Sequence, residues 1–171
     1  MTLTLDDLRG HLNMTALPPD GDVRRRELQR ALDTATQELT RMTGRLNGVS
    51  AVARVPGGGY PLRLPYVDLA SIGPVLDPSG VAVACSAVDL VAGLVWATST
   101  TAVGGAWAIT CTGSAWPSAL ESAALDWAAH VYDTQRTTLN PTADDGAGLP
   151  SFALPSRVAQ FAAPYLLPGF A

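Results

Sequence analysis

The sequence contains no lysine, and all 11 of its basic residues are arginine, a skew that reflects coding bias more than function. Charge of either sign is scarce. Charged residues make up 15% of the 171 and hydrophobic residues 47%, a balance too apolar and too weakly charged for an intrinsically disordered chain. The formal net charge of -4 and a pI near 4.9 lack the basic footprint with which high-affinity nucleic-acid binders neutralise phosphates. Of the two cysteines, Cys85 and Cys111, neither belongs to a CxxC, so no disulfide framework or zinc motif is indicated and both read as small buried hydrophobes.

Catalytic signatures are also missing. There is no GxSxG, HExxH, Walker-type GxxxxGK or GxGxxG, the patterns that would place a nucleophile, a zinc ion or a phosphate. Residues 1–10 carry Asp6 and Asp7 where a signal peptide needs a basic and then an apolar run, so a cytosolic origin is expected. The apolar stretch 81–97 is too short to span a bilayer, and Asp89 near its middle would cost roughly 3 kcal/mol there, so strands are expected instead.

What is present is enough apolar residue for one domain with a sizeable core, or one domain with an insertion. Thr4 followed by Asp7 resembles a capping box with Asp in place of Glu, opening a short helix through Leu5, Leu8 and Leu12. Pro18 and Pro19 then break the chain, and Asp20 or Asp22 caps a second helix. Its apolar positions Leu28, Leu32, Ala35, Leu39, Met42 and Leu46 recur at alternating spacings of four and three, a helical seam. Gly44 is expected at its C-terminal cap, with Leu46 folding back on the helix. Burying each large seam residue contributes about 2 kcal/mol, a gross term largely offset by chain entropy.

From residue 50 to 112 the pattern changes to short runs rich in Val, Ala, Leu and Ile, broken at 56–59, 77–80, Gly93 and 104–105, as several hairpins would be. Alternation marks Leu62 and Leu64, then Val81, Val83 and Cys85, then Trp107, Ile109 and Cys111. Helical pattern returns at Trp116 with Pro117 as first helical residue and runs to about Arg136, its narrow polar stripe formed by Ser118, Ser122, Asp126, His130 and Asp133. A loop over 137–150 follows. A last short helix from Pro155 carries Val158, Phe161 and Ala162, and Pro164 and Pro168 are expected to stop it, leaving Tyr165, Leu166, Leu167 and Phe170 on an apolar tail. The class is therefore α+β: a small helical bundle from residues 1–49 and 113–171, with two N-terminal helices, one long C-terminal helix and a short terminal one, and an inserted antiparallel β region at 50–112.

Four groups of residues invite a chemical reading. Gly57, Gly58 and Gly59 could cradle a phosphate, but no helix pattern follows them and a hairpin turn accounts for them. Asp126, His130 and Asp133 share one helix face as metal ligands would, yet one helix supplies at most part of a site and the only other histidine is His11, so no metal and no cofactor is expected. Trp96, Trp107, Trp116 and Trp127 lack basic neighbours and read as core rather than as a base-stacking platform. Arg24, Arg25, Arg26, Arg30 and Arg41 give the second helix a basic flank. It is either a solvated face or an inter-subunit contact, since guanidinium groups pair bidentately with carboxylates and the chain offers 15 acidic residues.

The order LTLDDLRGHL, a Pro-Asp break, LQRALDTATQELTRMTG, YPLRLPYVDLASIGPVLDPSG, SAWPSALESAALDWAAHVYDTQR and LPSRVAQFAAPYLLPGF resembles the head-to-tail connector, or adaptor, proteins of tailed bacteriophages. The resemblance runs over almost the whole chain. It implies a virion structural protein of the neck, assembled in the host cytoplasm, with no catalytic residues. It further implies a homo-oligomeric ring, commonly of twelve subunits, docked beneath the portal and receiving the next connector, stopper or tail-completion protein. Packaged and ejected DNA would pass through its lumen without sequence-specific binding, and no membrane is involved. Such rings commonly grip the portal with a terminal segment, which makes Phe161, Tyr165, Leu166 and Phe170 the expected contact. An acidic chain suits a lumen in which DNA must slide, and a ring needs heterologous interfaces, for which the arginine flank and the tail are two plausible halves. The alternatives are another small virion protein, such as a stopper or tail-completion factor, and a small-ligand-binding or enzymatic domain built on Asp126 and His130.

Overall fold

Both halves of the capping box form at Thr4: its hydroxyl accepts from the Asp7 N–H, and the Asp7 carboxylate accepts from the Thr4 N–H at 2.8 Å. They start α1, Leu5–His11, in a computed structural model that describes residues 3–57, 61–98, 105–139 and 154–168. The cap of α2, Val23–Thr43, is Asp22, whose side chain accepts the Arg24 N–H at 2.8 Å. Leu28, Leu32, Ala35 and Leu39 of the seam are buried and Met42 is half-buried. Gly44 has a φ of 66°, the left-handed conformation that ends a helix. Leu46, expected to fold back on the helix, packs into the sheet core with Val55, Leu69 and Ile109, because the chain after Gly44 leaves directly for the first strand.

The chain divides into two compact units, one spanning Thr43–Trp116 and the other Leu3–Met42 with the described part of Pro117–Ala171. Among the described residues the first holds seven strands: β1 Ser50–Pro56, β2 Leu62–Arg63, β3 Leu69–Leu76, β4 Ala82–Val83, β5 Cys85–Asp89, β6 Leu94–Ala97 and β7 Ala106–Gly113. They form two antiparallel sheets, ordered β1-β7-β3-β4 and β2-β6-β5. Only β3–β4 and β5–β6 are the hairpins that local pattern suggests. β7 instead pairs in unbroken register with β1, from Ser50↔Thr112 to Pro56↔Ala106.

One cluster fills this unit and draws on both sheets: Ala53, Val55, Val75, Trp107, Ile109 and Cys111 from the first, Leu62, Val95 and Ala97 from the second. β7 alternates strictly, with Trp107, Ile109, Cys111 and Gly113 buried. The alternation through Val81, Val83 and Cys85 does not hold, since Val81 is 60% exposed and the strand breaks between Val83 and Cys85. Two glycines are fixed by close approach. A Cβ on Gly113 would lie 2.0 Å from the Leu46 carbonyl oxygen, and one on Gly93, whose φ is +66°, would lie 2.0 Å from that of Tyr66. The unit's ends are tied by Trp116, which donates its N–H to the Asn47 Oδ1 at 3.1 Å and its Nε1–H to the Arg45 carbonyl at 3.0 Å.

The β3–β4 turn is organised by Asp77, whose Oδ1 accepts from the Ser79 hydroxyl at 2.6 Å and from the Ser79 and Val81 N–H groups at 2.9 Å. The Ser79 hydroxyl first, then the Val81 N–H, hold the carboxyl below its usual value, because these donors favour the charged form. A depressed folded value means that the turn's gain is complete above the ordinary carboxylate range and is lost as pH falls through the lower one. In carbon-detected NMR, Asp77 is expected to titrate below a free aspartate, with the Val81 amide moving in the same step; titration at the ordinary value would contradict the turn geometry.

The second unit holds α1, α2, α3 at Ser118–Leu139 and α4 at Ser156–Ala162, with a 3₁₀ turn at Ala163–Tyr165. The α+β class therefore stands, with four α-helices and antiparallel sheets among the described residues. The helical arrangement differs from the expected bundle: α2 and α3 are both long, α1 and α4 have seven residues each, and both short helices pack against α3. Pro117 lies just before α3 rather than as its first residue, and its carbonyl accepts from the N–H groups of Leu120 and Glu121. Pro164 does not stop the chain's coiling but sits within the 3₁₀ turn, where its missing N–H leaves nothing unpaired. Leu8, Leu28, Ala31, Leu32, Ala35, Ala128 and Tyr132 form the core of this unit.

Candidate assembly surfaces

Asp126 is 14% exposed and is held between His11 Nε2 at 3.0 Å and Arg157 Nε at 3.1 Å, so α1, α3 and α4 meet at one carboxylate. His130 and Asp133 face solvent on the same helix, and among the described residues no group of three His, Cys, Asp or Glu could hold a metal ion. The sequence offers no signal for the His11–Asp126 pair, whose members lie 115 positions apart. Both thiols are free, Cys85 half-buried and Cys111 buried, and burial pushes both up from the ordinary thiol value, which makes them poor nucleophiles. No described helix is long and apolar enough to cross a membrane.

The arginine flank splits into two kinds. Arg25 is engaged: its Nε lies 3.1 Å from Asp20 and its Nη1 donates to the Pro18 carbonyl at 3.0 Å. Arg41 pairs with Glu38 at 2.7 Å. Arg24, Arg26 and Arg30 are exposed and have no ion-pair partner among the described residues. Their position is costly for the helix. α2 has no acidic residue in its first turn, so Arg24, Arg25 and Arg26 sit at the positive end of its dipole, and Arg26 and Arg30 are like charges at i,i+4.

Leu167, in the expected tail, lies beside Met42 at the far end of α2, about 25 Å along its axis from Arg25 at 1.5 Å per residue. The Leu167 N–H donates to the Met42 carbonyl at 2.9 Å. Phe161 is half-buried under the Arg157 guanidinium, 5.5 Å from the ring centroid, and Tyr165 and Leu166 are half-buried too. Phe170 lies outside the described residues, as do Gly58 and Gly59, while Gly57 donates its N–H to the Gly105 carbonyl at 2.8 Å. The structure thus brings Arg41 and Leu167 to one end of α2 and leaves Arg24, Arg25, Arg26 and Arg30 at the other.

Sequence reasoning missed the remaining exposed features of the sheet unit. Arg54 and Arg63 rim an open groove of about 500 Å³ whose lining includes Val55, Leu62 and Leu64. The β5–β6 turn raises Val91 to 74% exposure, with Asp89 Oδ1 accepting from the Val91 and Ala92 N–H groups at 3.0 and 2.9 Å. An Asp two residues before the turn N–H groups was the readable sign of that turn.

By sequence, the chain matches no protein-family model and no curated protein. By structure it aligns over 99% of its length with 93% of a chain from the virion of a native gene transfer agent particle, at a TM-score of 0.64 and 20% identity. The fold resembles gene-transfer-agent neck chains. A chain from the neck of the empty particle, computed with C6 symmetry, aligns at a TM-score of 0.63 and 20% identity, over 99% of this chain and 93% of that one. One from the neck of the native particle, computed with C12 symmetry, aligns at 0.60 and 20%, over 98% and 92%. Coverage near the full length of both partners means that the β unit and the helical unit are matched together.

Proposed function

We propose that this chain is a structural subunit of the neck of a phage-like particle, a connector that forms a ring beneath the portal and passes DNA through its lumen to the tail side. The observation that carries the reading is the near-complete structural match to neck chains solved with C6 and C12 symmetry. A twelve-membered ring fits those symmetries. The absence of any catalytic motif and the use of Asp126 in an internal ion pair favour a structural role over an enzymatic one. Residues Phe161, Tyr165, Leu166 and Phe170 face the portal in this reading, and Arg24, Arg25, Arg26, Arg30 and Arg41 face acidic groups of neighbouring subunits.

Particles purified with the chain are expected to show, in negative stain, a ring at the portal vertex alone that is missing from particles assembled without it. A vertex unchanged by the chain's removal would overturn the reading.

The arginine flank gives a prediction of opposite signs. Arg26→Glu places an acid at the positive end of α2 and converts a repulsive i,i+4 pair with Arg30 into an attractive one, so the monomer should gain about 0.5 kcal/mol. Assembly should weaken, because a guanidinium that meets a neighbour's carboxylate becomes a like charge. Chemical denaturation and sedimentation read the two effects separately; unchanged assembly would return the flank to solvent.

A further inference from the structure

The residues of α4 do little by themselves to make it a helix. With seven residues, Ser156–Ala162, it is shorter than a helix that stands alone in water. Its N-cap, Pro155, makes no side-chain cap bond, and its first turn carries no acid. The charge it does carry there is Arg157, a cation at the positive end of the helix dipole. What holds α4 is its packing on α3: Val158 and Ala162 are fully buried, and Arg157 lies against Asp126. Asp126 is fixed from the other side by α1, whose His11 Nε2 is 3.0 Å from Oδ1. Its Oδ2 stands 3.1 Å from Arg157 Nε without hydrogen-bond alignment, and the Arg157 side chain is 69% exposed. A pair so open to water adds little to stability. It does set a position. The same guanidinium lies 5.5 Å from the centroid of the Phe161 ring, one turn on in α4 and within cation–π range. Further along, the Leu167 N–H is tied to the Met42 carbonyl at 2.9 Å. Phe161, Tyr165 and Leu166, all half-buried, lie between these two ties.

We propose that Asp126 is a positioning residue for the portal contact: acting through Arg157, it orders Phe161 and the start of the tail before they meet the partner. A side chain already held in place loses less conformational freedom on binding, which is worth a few-fold to about tenfold in affinity for each one ordered. The carboxylate suits this task better than an apolar residue would. Apolar contacts such as those of Val158 and Ala162 hold α4 down, whereas a charge draws one particular guanidinium to one place, above the ring. His11 serves in turn by holding the carboxylate from α1. The inference rests on the reading of the tail as the portal-facing segment.

The test titrates portal-bearing particles assembled without this chain with the full-length parent, Asp126→Asn, Arg157→Gln and the double variant, and reads docking by co-sedimentation. Each single variant is expected to dock roughly five- to tenfold more weakly. The double variant should dock no more weakly than the worse single, because residues that act as one unit are not additive. Arg157→Lys, which keeps the cation, should recover most of the loss. Losses that multiply in the double variant would separate the two residues and overturn the inference. Arg157 is exposed, so Arg157→Gln keeps the fold and carries the test even where Asp126→Asn does not; docking equal to the parent's overturns the inference too. Exchange of the Ala159 amide, bonded to the Pro155 carbonyl at 3.0 Å, reports whether α4 has loosened. Faster exchange with unchanged docking would make the pair a fastening of the fold alone. A parent that does not dock overturns the connector reading and this inference together, whereas a docking parent matched by its variants overturns this inference alone.

Discussion

Leu32→Asp is expected to destabilise the helical unit by roughly 3–5 kcal/mol. Leu32 is 4% exposed in the cluster that joins α2 to Ala128 and Tyr132 of α3. The substitution removes a branched apolar side chain from that cluster and puts a carboxylate among the apolar side chains of Leu8, Leu28, Ala128 and Tyr132. Its helical signal in a thermal melt should be lost at least ~10 °C earlier than the parent's. Thr34→Asp, two residues on and exposed, serves as the control, since a charge at a solvent-facing position should change stability by no more than about 0.5 kcal/mol. A Leu32→Asp chain that melts like Thr34→Asp would show that the four-and-three seam faces water.

That seam was the most readable part of the chain, and the reason is physical. The spacing of Leu28, Leu32, Ala35 and Leu39 reports a face of one continuous helix, and a helix is built from bonds between near neighbours. The same holds for the Thr4–Asp7 cap and for Trp107, Ile109 and Cys111 in β7. Readability ended where the fold depends on distant partners. Nothing local tells β7 to lie between β1 and β3, or sends Leu46 into the sheet core. Trp116 looked like a helix start because Pro117 follows it, but the residue serves the sheet unit by bonding to Asn47 and Arg45. Val81 matched a core-facing alternation and is exposed, since its N–H is taken by the Asp77 turn and β4 begins only after it.

The candidate surfaces were legible to the same degree. The basic flank of α2 follows from its own helical period, and the apolar tail from composition alone. Hidden from the sequence were the partners that sort the flank, such as Asp20 for Arg25, and the groove at Arg54 and Arg63, whose walls come from separate strands.

A chain ending at Tyr165 is expected to fold and to fail in docking. Val158 and Ala162 are fully buried in the helical unit, so a cut before α4 would uncover α3 and is not a clean test of the tail. Ending the chain after Tyr165 keeps α4 and the 3₁₀ turn. It sacrifices the Leu167–Met42 backbone bond and the long Leu166–Ala163 one, a loss of about 1–2 kcal/mol, and it removes Leu166, Leu167 and Phe170. If these side chains insert into a portal pocket, they are the buried anchors from which such interfaces draw most of their energy, and co-sedimentation with portal-bearing particles should fall by more than tenfold while the melt shifts by only a few degrees. Docking equal to the parent's would remove the tail from the interface. A large fall in melting temperature would instead make residues 166–171 part of the fold, because two backbone bonds cannot account for it.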